Sequence, residues 1–95
     1  MTINYSVLPA HMRAPMRAYI EEGRPVDSFL AAILALDFAG AARHADDINQ
    51  GYLFDYAAFL RNEAPAGCWG SREMVTAWIA TKHNEQQAFS GKSHI

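Results

Sequence analysis

Residues 27–36 read DSFLAAILAL, and the reading of this stretch decides the fold. From Phe29 to Leu36 every residue is apolar. Such a run is either a strand buried on both faces or a helix buried all round. Alanine and leucine favour helix, and no partner strand is evident elsewhere in the chain. The stretch therefore predicts a helix over 27–36, with Asp27 or Ser28 as its N-cap. A helix with no polar face must be surrounded, which puts this one at the centre of the molecule. The apolar run is eight residues long, well short of the about 20 needed to cross a bilayer.

On its N-terminal side, residues 10–22 place Met12, Met16, Tyr19 and Ile20 on one helical stripe. Pro15 either kinks this helix or opens its regular part. Gly23 is a natural stop, and Pro25 follows it. On the C-terminal side, Asp37 can cap what comes next. Phe38, Ala41 and Ala45, then Ile48, Tyr52, Tyr56, Phe59 and Leu60, continue at helical spacing. A short helix near 38–44 and a longer one near 47–63 are expected, with a bend between them. Whether they are one bent helix or two stays open. Pro65 ends the second. APAGCWG, residues 64–70, reads as a loop. Ser71 then caps a last helix over 72–82, where Met74, Val75, Trp78 and Ile79 form the apolar stripe. Residues 83–95 are mostly polar and are expected to be a disordered tail. The fold class is all-α: one domain over 1–82, a compact bundle of four to five short helices around the 27–36 helix.

The chain has 95 residues, 51% of them apolar, which suits a single folded domain. Eight basic and ten acidic residues give a net charge of −2. The acidic residues gather in 25–63, where Asp27, Asp37, Asp46, Asp47, Asp55 and Glu63 outnumber Arg43 and Arg61. No basic patch appears, so binding to a nucleic-acid backbone lacks its usual electrostatic source. A recognition helix would carry several outward Arg, Lys, Asn or Gln, and the last helix offers only Arg72, Thr76 and Lys82. The single cysteine, Cys68, permits no internal disulfide and suits a reducing cytoplasm. The first residues, MTINYSVLPAHMRAP, lack the pattern of a signal peptide.

The densest cluster of chemically capable side chains is RHADDINQG, residues 43–51. On a helix His44 and Asp47 lie at i, i+3 and could share a metal. Zinc would need one or two further ligands from His11, His83 or Glu63, and no spacing calls for them. The plainer reading is that Asp46 or Asp47 caps the long helix and Asn49 sits in its first turn. Cys68-Trp69 matches the Cys-Trp of papain-like proteases, but those enzymes need a histidine about 130 residues downstream and this chain is too short. Cys68 is instead expected to be a small, partly buried hydrophobe and Trp69 to anchor its loop on the core. The carboxylates Asp37, Asp46, Asp47, Asp55 and Glu63 form no recognisable catalytic pair, and the scattered glycines form no phosphate loop. No enzyme activity, metal or cofactor is expected.

Phe54 is the exception to this blandness. At about 100° per residue along a 47–63 helix, with Ile48 at the origin, the apolar residues centre near about 60°. Phe54 falls at about 240°, beside Asp47, Ala58 and Arg61, with Asp55 next in sequence. An aromatic ring beside a small residue and charges has the composition of an interface anchor. The other reading is that the N-terminal segment (Ile3, Tyr5, Val7) or the tail covers the ring. The expected partner-binding residues are Asp47, Phe54, Asp55, Ala58 and Arg61.

A scattered pattern supports a resemblance. Tyr19-Ile20-Glu21-x-Gly23, Phe29-Leu30-x-x-x-Leu34, Ala45-Asp46-Asp47-x-Asn49, Pro65, Trp69-Gly70-Ser71 and Trp78 together resemble a family of small phage and prophage proteins. The likeness covers about residues 8–80. At position 36, where the family commonly has asparagine before the aspartate, this chain has Leu36. The resemblance implies a phage or mobile-element origin and a place in the cytoplasm of a bacterial host. By analogy it implies a non-enzymatic protein that binds and occludes a host protein, such as an anti-CRISPR inhibitor of a defence system. A homodimer through the Phe54 face is a variant of this reading. The alternative is a small nucleic-acid-binding regulator of phage origin.

Overall fold

Asp27 accepts a hydrogen bond from Leu30 N at 2.9 Å and so caps α2, Ser28–Leu34. The computed structural model describes residues 3–92, by backbone alone from 86 onward. The helices are α1 (Ala10–Glu22), α2, α3 (Phe38–His44), α4 (Asp47–Gln50), α5 (Leu53–Asn62) and α6 (Arg72–Lys92). Single 3-10 turns lie at Tyr5–Val7 and Ala66–Cys68. Among the described residues there is no strand, and the fold is all-α.

The central position expected of the apolar stretch is found. Phe29, Leu30, Ala32, Ile33 and Leu34 are buried, and α2 packs against α3, α5 and α6. Full burial of each large side chain contributes about 1.5–3 kcal/mol. The helix is shorter than the expected 27–36, however, and its last apolar residue is outside the core. The chain leaves α2 through a Schellman turn, in which Leu36 N donates to Ile33 O at 3.0 Å and Asp37 N to Ala32 O at 2.8 Å. This geometry needs a left-handed residue, and Leu36 supplies it at φ 64° with its side chain exposed. A leucine there carries a Cβ clash that glycine avoids and asparagine tolerates. Leu36→Gly or Leu36→Asn should therefore raise stability by about 0.5–1 kcal/mol in urea denaturation, against the usual effect of substitution. A loss of stability would show that the leucine side chain holds the turn.

The expected 47–63 helix is two helices. Gly51 N donates to Ile48 O at 3.1 Å and Tyr52 N to Asn49 O at 3.0 Å, both three residues back. These tight turns end α4, and Tyr52 becomes the residue before α5. The helical phase does not carry across them. Ile48 and Tyr52, expected on the buried face, are exposed, and Asn49 is buried in their place.

α1 begins at Ala10 and contains Pro15 in its interior. It buries the expected Met12, Met16, Tyr19 and Ile20. It stops at Gly23, whose φ is 72°. A Cβ on Gly23 would lie 2.5 Å from Lys82 Cβ, so α6 crosses the end of α1 where only glycine fits. There Trp78 Nε1 donates to the carbonyls of Tyr19 at 3.2 Å and Ile20 at 3.1 Å; the first also accepts from Gly23 N at 3.0 Å. Gly70 N does the same for Leu34 O of α2, at 2.8 Å. α6 does not end at the expected residue 82 but runs on to Lys92. The apolar stripe stops near Ile79, yet Glu85, Gln86, Gln87 and Ala88 are good helix formers, and helix does not require a packed face where propensity continues. Residues 93–95 of the expected tail lie outside the described residues.

Candidate functional site

The RHADDINQG cluster is pulled apart by the local fold. His44 lies in the last turn of α3, Ala45 is extended, and Asp46 caps α4 by accepting from Asn49 N at 2.7 Å. That hydrogen bond holds the Asp46 carboxyl below the usual carboxylate range, with His11 Nε2 at 3.3 Å adding to the effect. His11 thus reaches the cluster, but as a partner of the cap. Among the described residues, no three His, Cys, Asp or Glu side chains gather as a metal site would require. Asp37 is likewise a cap, accepting from Gly40 N at 2.9 Å, and it lies 3.5 Å from Arg72 Nη2.

Cys68 is more enclosed than expected, fully buried rather than partly. Burial pushes its thiol up to about 12, so thiolate chemistry at neutral pH is disfavoured. Its carbonyl accepts from the buried Tyr19 hydroxyl at 2.7 Å. Trp69 packs against the core as expected of an anchor.

A broad groove of about 920 Å³ runs beside α1, lined by Ile3, Tyr5, Ala14 and Ala18 and flanked by Arg13 and Arg17. Its cations already have partners. Arg13 donates to the carbonyls of Leu8 and Ser6, each at 3.0 Å. The Arg17 guanidinium lies 5.0 Å from the centre of the Tyr5 ring and 3.7 Å from Glu21.

Sequence reasoning missed the polar pair inside the bundle. Asn49 is buried and accepts from the Tyr56 hydroxyl at 2.8 Å. The Tyr56 ring meets Phe29 edge-on at 5.2 Å between centroids. A polar residue in a sequence window of alternating exposure carries no signal of burial until the turn at Gly51–Tyr52 is known. The bond between this pair lies inside the bundle, and it reads as a structural tie rather than a reactive site.

The outward face of α5 remains. Tyr56, Phe59 and Leu60 point into the core, and Phe54 lies on the opposite side with 84% of its surface exposed. The N-terminal segment does not cover it: Tyr5 is buried against Phe59 instead, at 5.6 Å between ring centroids. Phe54, Ala58 and Arg61 follow one another at i, i+4 and i+7 along α5, which aligns them. Asp55 flanks the line and is half-buried, while Arg61 is exposed. Asp47 is exposed but belongs to α4, so the angle assigned to it from a continuous helix does not apply. The structure thus aligns Phe54, Ala58 and Arg61, with Asp55 beside them, and leaves Asp47 on a separate element.

No protein-family model, no curated protein and no solved structure matches this chain.

Proposed function

We propose that this protein is a non-enzymatic binding protein of phage or mobile-element origin. It acts by occluding a host protein, in a defence system of the bacterial host, through the outward face of α5. One observation carries the reading: Phe54 has 84% of its surface in water, on a regular helix whose other aromatics are buried. Large aromatics at the centre of a patch are the usual anchors of protein interfaces. Ala58, one turn on, leaves room for a partner side chain, and Arg61 supplies a polar rim. The defence-system role comes from the sequence resemblance and not from the α5 face.

Phe54→Ala separates an anchor from a structural residue. With so little of the ring packed, its removal should leave the melting temperature within about 2 °C of wild type, since it forfeits little burial. The same variant should no longer protect an infecting phage in a bacterium whose defence the wild-type protein suppresses. A drop of many degrees would assign the ring to the core, and full protection by the variant would move the interface elsewhere.

A further inference from the structure

The arginines along the α1 groove are held by their inner edges. Arg13 donates through Nε to Leu8 O and through Nη2 to Ser6 O. The Arg17 guanidinium lies over the Tyr5 ring, with Nε toward Glu21. Arg24 donates through Nε to Glu22 Oε1 at 3.1 Å. Nη1 of Arg13 and both Nη atoms of Arg17 and Arg24 take no partner among the described residues. Each guanidinium is thus positioned by one edge while outer donors stay free, a fork matched to carboxylate oxygens. The floor beside them is apolar: Ala10, Ala14 and Ala18 recur at every fourth position of α1 and line the same groove. We infer that this groove is a second binding surface and that it takes an acidic helix of a partner protein. None of its lining residues belongs to α5, and the inference does not rest on the reading of that helix.

Three observations select this occupant. The first is charge. Three arginines and one glutamate line the groove in a chain of net charge −2, so it is a basic strip on an acidic molecule. The second is the floor. Small residues one turn apart leave a furrow into which the ridge of a second helix settles. An extended peptide would find no such match, because the backbone of α1 is satisfied within the helix and offers no edge to pair with. Arg13 and Arg17, also one turn apart, stand about 6 Å apart along the axis. Carboxylates one turn apart on an incoming helix repeat at that spacing. The third is shape. Residues 3–6 wall one side of the groove, and a concave strip fits a rod better than a flat bilayer. Exposed ion pairs contribute little each, so a bare acidic helix should bind with a dissociation constant on the order of 100 μM to 1 mM.

The probe is a blocked alanine peptide of about 15 residues with glutamate at every fourth position, partly helical at that length. Its control carries glutamine at the same positions. Titrated into the isotope-labelled protein at about 20 mM salt, the glutamate peptide should move the amide resonances of residues 10–24 in a saturable way. The glutamine peptide should not. Raising the salt to about 200 mM should weaken binding about tenfold. Arg17→Gln should weaken it about threefold, the worth of one exposed ion pair. Ala14→Glu fills the floor with a like charge and should weaken it at least about tenfold. Ala14 is exposed, so that variant should keep the wild-type melting temperature and circular dichroism. Phe54→Ala should bind as wild type does.

The absence of a saturable shift at about 2 mM peptide overturns the inference. Equal binding of the glutamine peptide overturns it too, because the arginines would then select nothing. So does an Ala14→Glu protein that binds like wild type, or a Phe54→Ala protein that does not, since either puts the peptide on another face. Sedimentation with phosphatidylserine vesicles in place of peptide binding, lost in Ala14→Glu, would give the groove to a membrane surface and remove the helix.

Discussion

Leu34→Asp is expected to leave the chain unfolded at room temperature. Leu34 is completely buried in α2, and losing the leucine alone forfeits about 1.5–3 kcal/mol of burial. The aspartate would also have to enter a site with no cation beside it. An isolated carboxylate either stays ionised at large cost or takes up a proton and still lacks partners, for a further penalty of several kcal/mol. Together these match the whole stability of a domain this size, about 5–15 kcal/mol. Far-UV circular dichroism should show the helical signal lost. Leu36→Asp is the internal control. Two residues on, outside the helix and exposed, it should fold normally. A Leu34→Asp protein with wild-type ellipticity and melting temperature would remove α2 from the centre of the bundle.

The second large effect belongs to Tyr56. Tyr56→Ala removes a fully buried ring that meets Phe29 edge-on and leaves the Asn49 amide oxygen without its donor. Cavity and lost hydrogen bond together should cost about 4–5 kcal/mol in denaturant unfolding. Tyr56→Phe isolates the hydroxyl and should cost about 1–2 kcal/mol, because buried Asn49 is then unsatisfied. Asn49→Ala combined with Tyr56→Phe should cost less than the sum of the two, since both remove the same bond. Phe54→Ala, two residues away on the same helix, sets the scale of a side chain that stabilises nothing. If Tyr56→Phe proved neutral, water would be replacing the hydroxyl and the pair would not be dry.

These sites differ in how far they can be read without coordinates. α2 was legible because its cap and its unbroken apolar run agree, and no alternative element competes for the segment. The α4–α5 break was not, because Ile48, Tyr52 and Tyr56 keep helical spacing across Gly51 while the backbone tightens beneath them. Periodicity records the order of residue types and is blind to a local change of hydrogen bonding. Phe54 was placed correctly all the same. Its direction follows from Tyr56, Phe59 and Leu60 on its own helix, and an error in α4 does not reach it. Asp47 had no such protection, since its direction was reckoned through the break. The end of α6 was misjudged for a different reason: the loss of an apolar stripe marks where packing stops, not where the helix stops.

The enclosed thiol of Cys68 makes the molecule its own clock. With the sulfur fully buried and its proton tightly held, an alkylating reagent in solution has nothing to attack while the native packing is closed. Modification waits for a fluctuation that lifts the 64–70 segment away from α1 and α2, which requires parting Tyr19 from the Cys68 carbonyl and Gly70 from Leu34. The labelling rate therefore counts openings of that segment. Its dependence on denaturant separates a local excursion from global unfolding, without a dye or an added label.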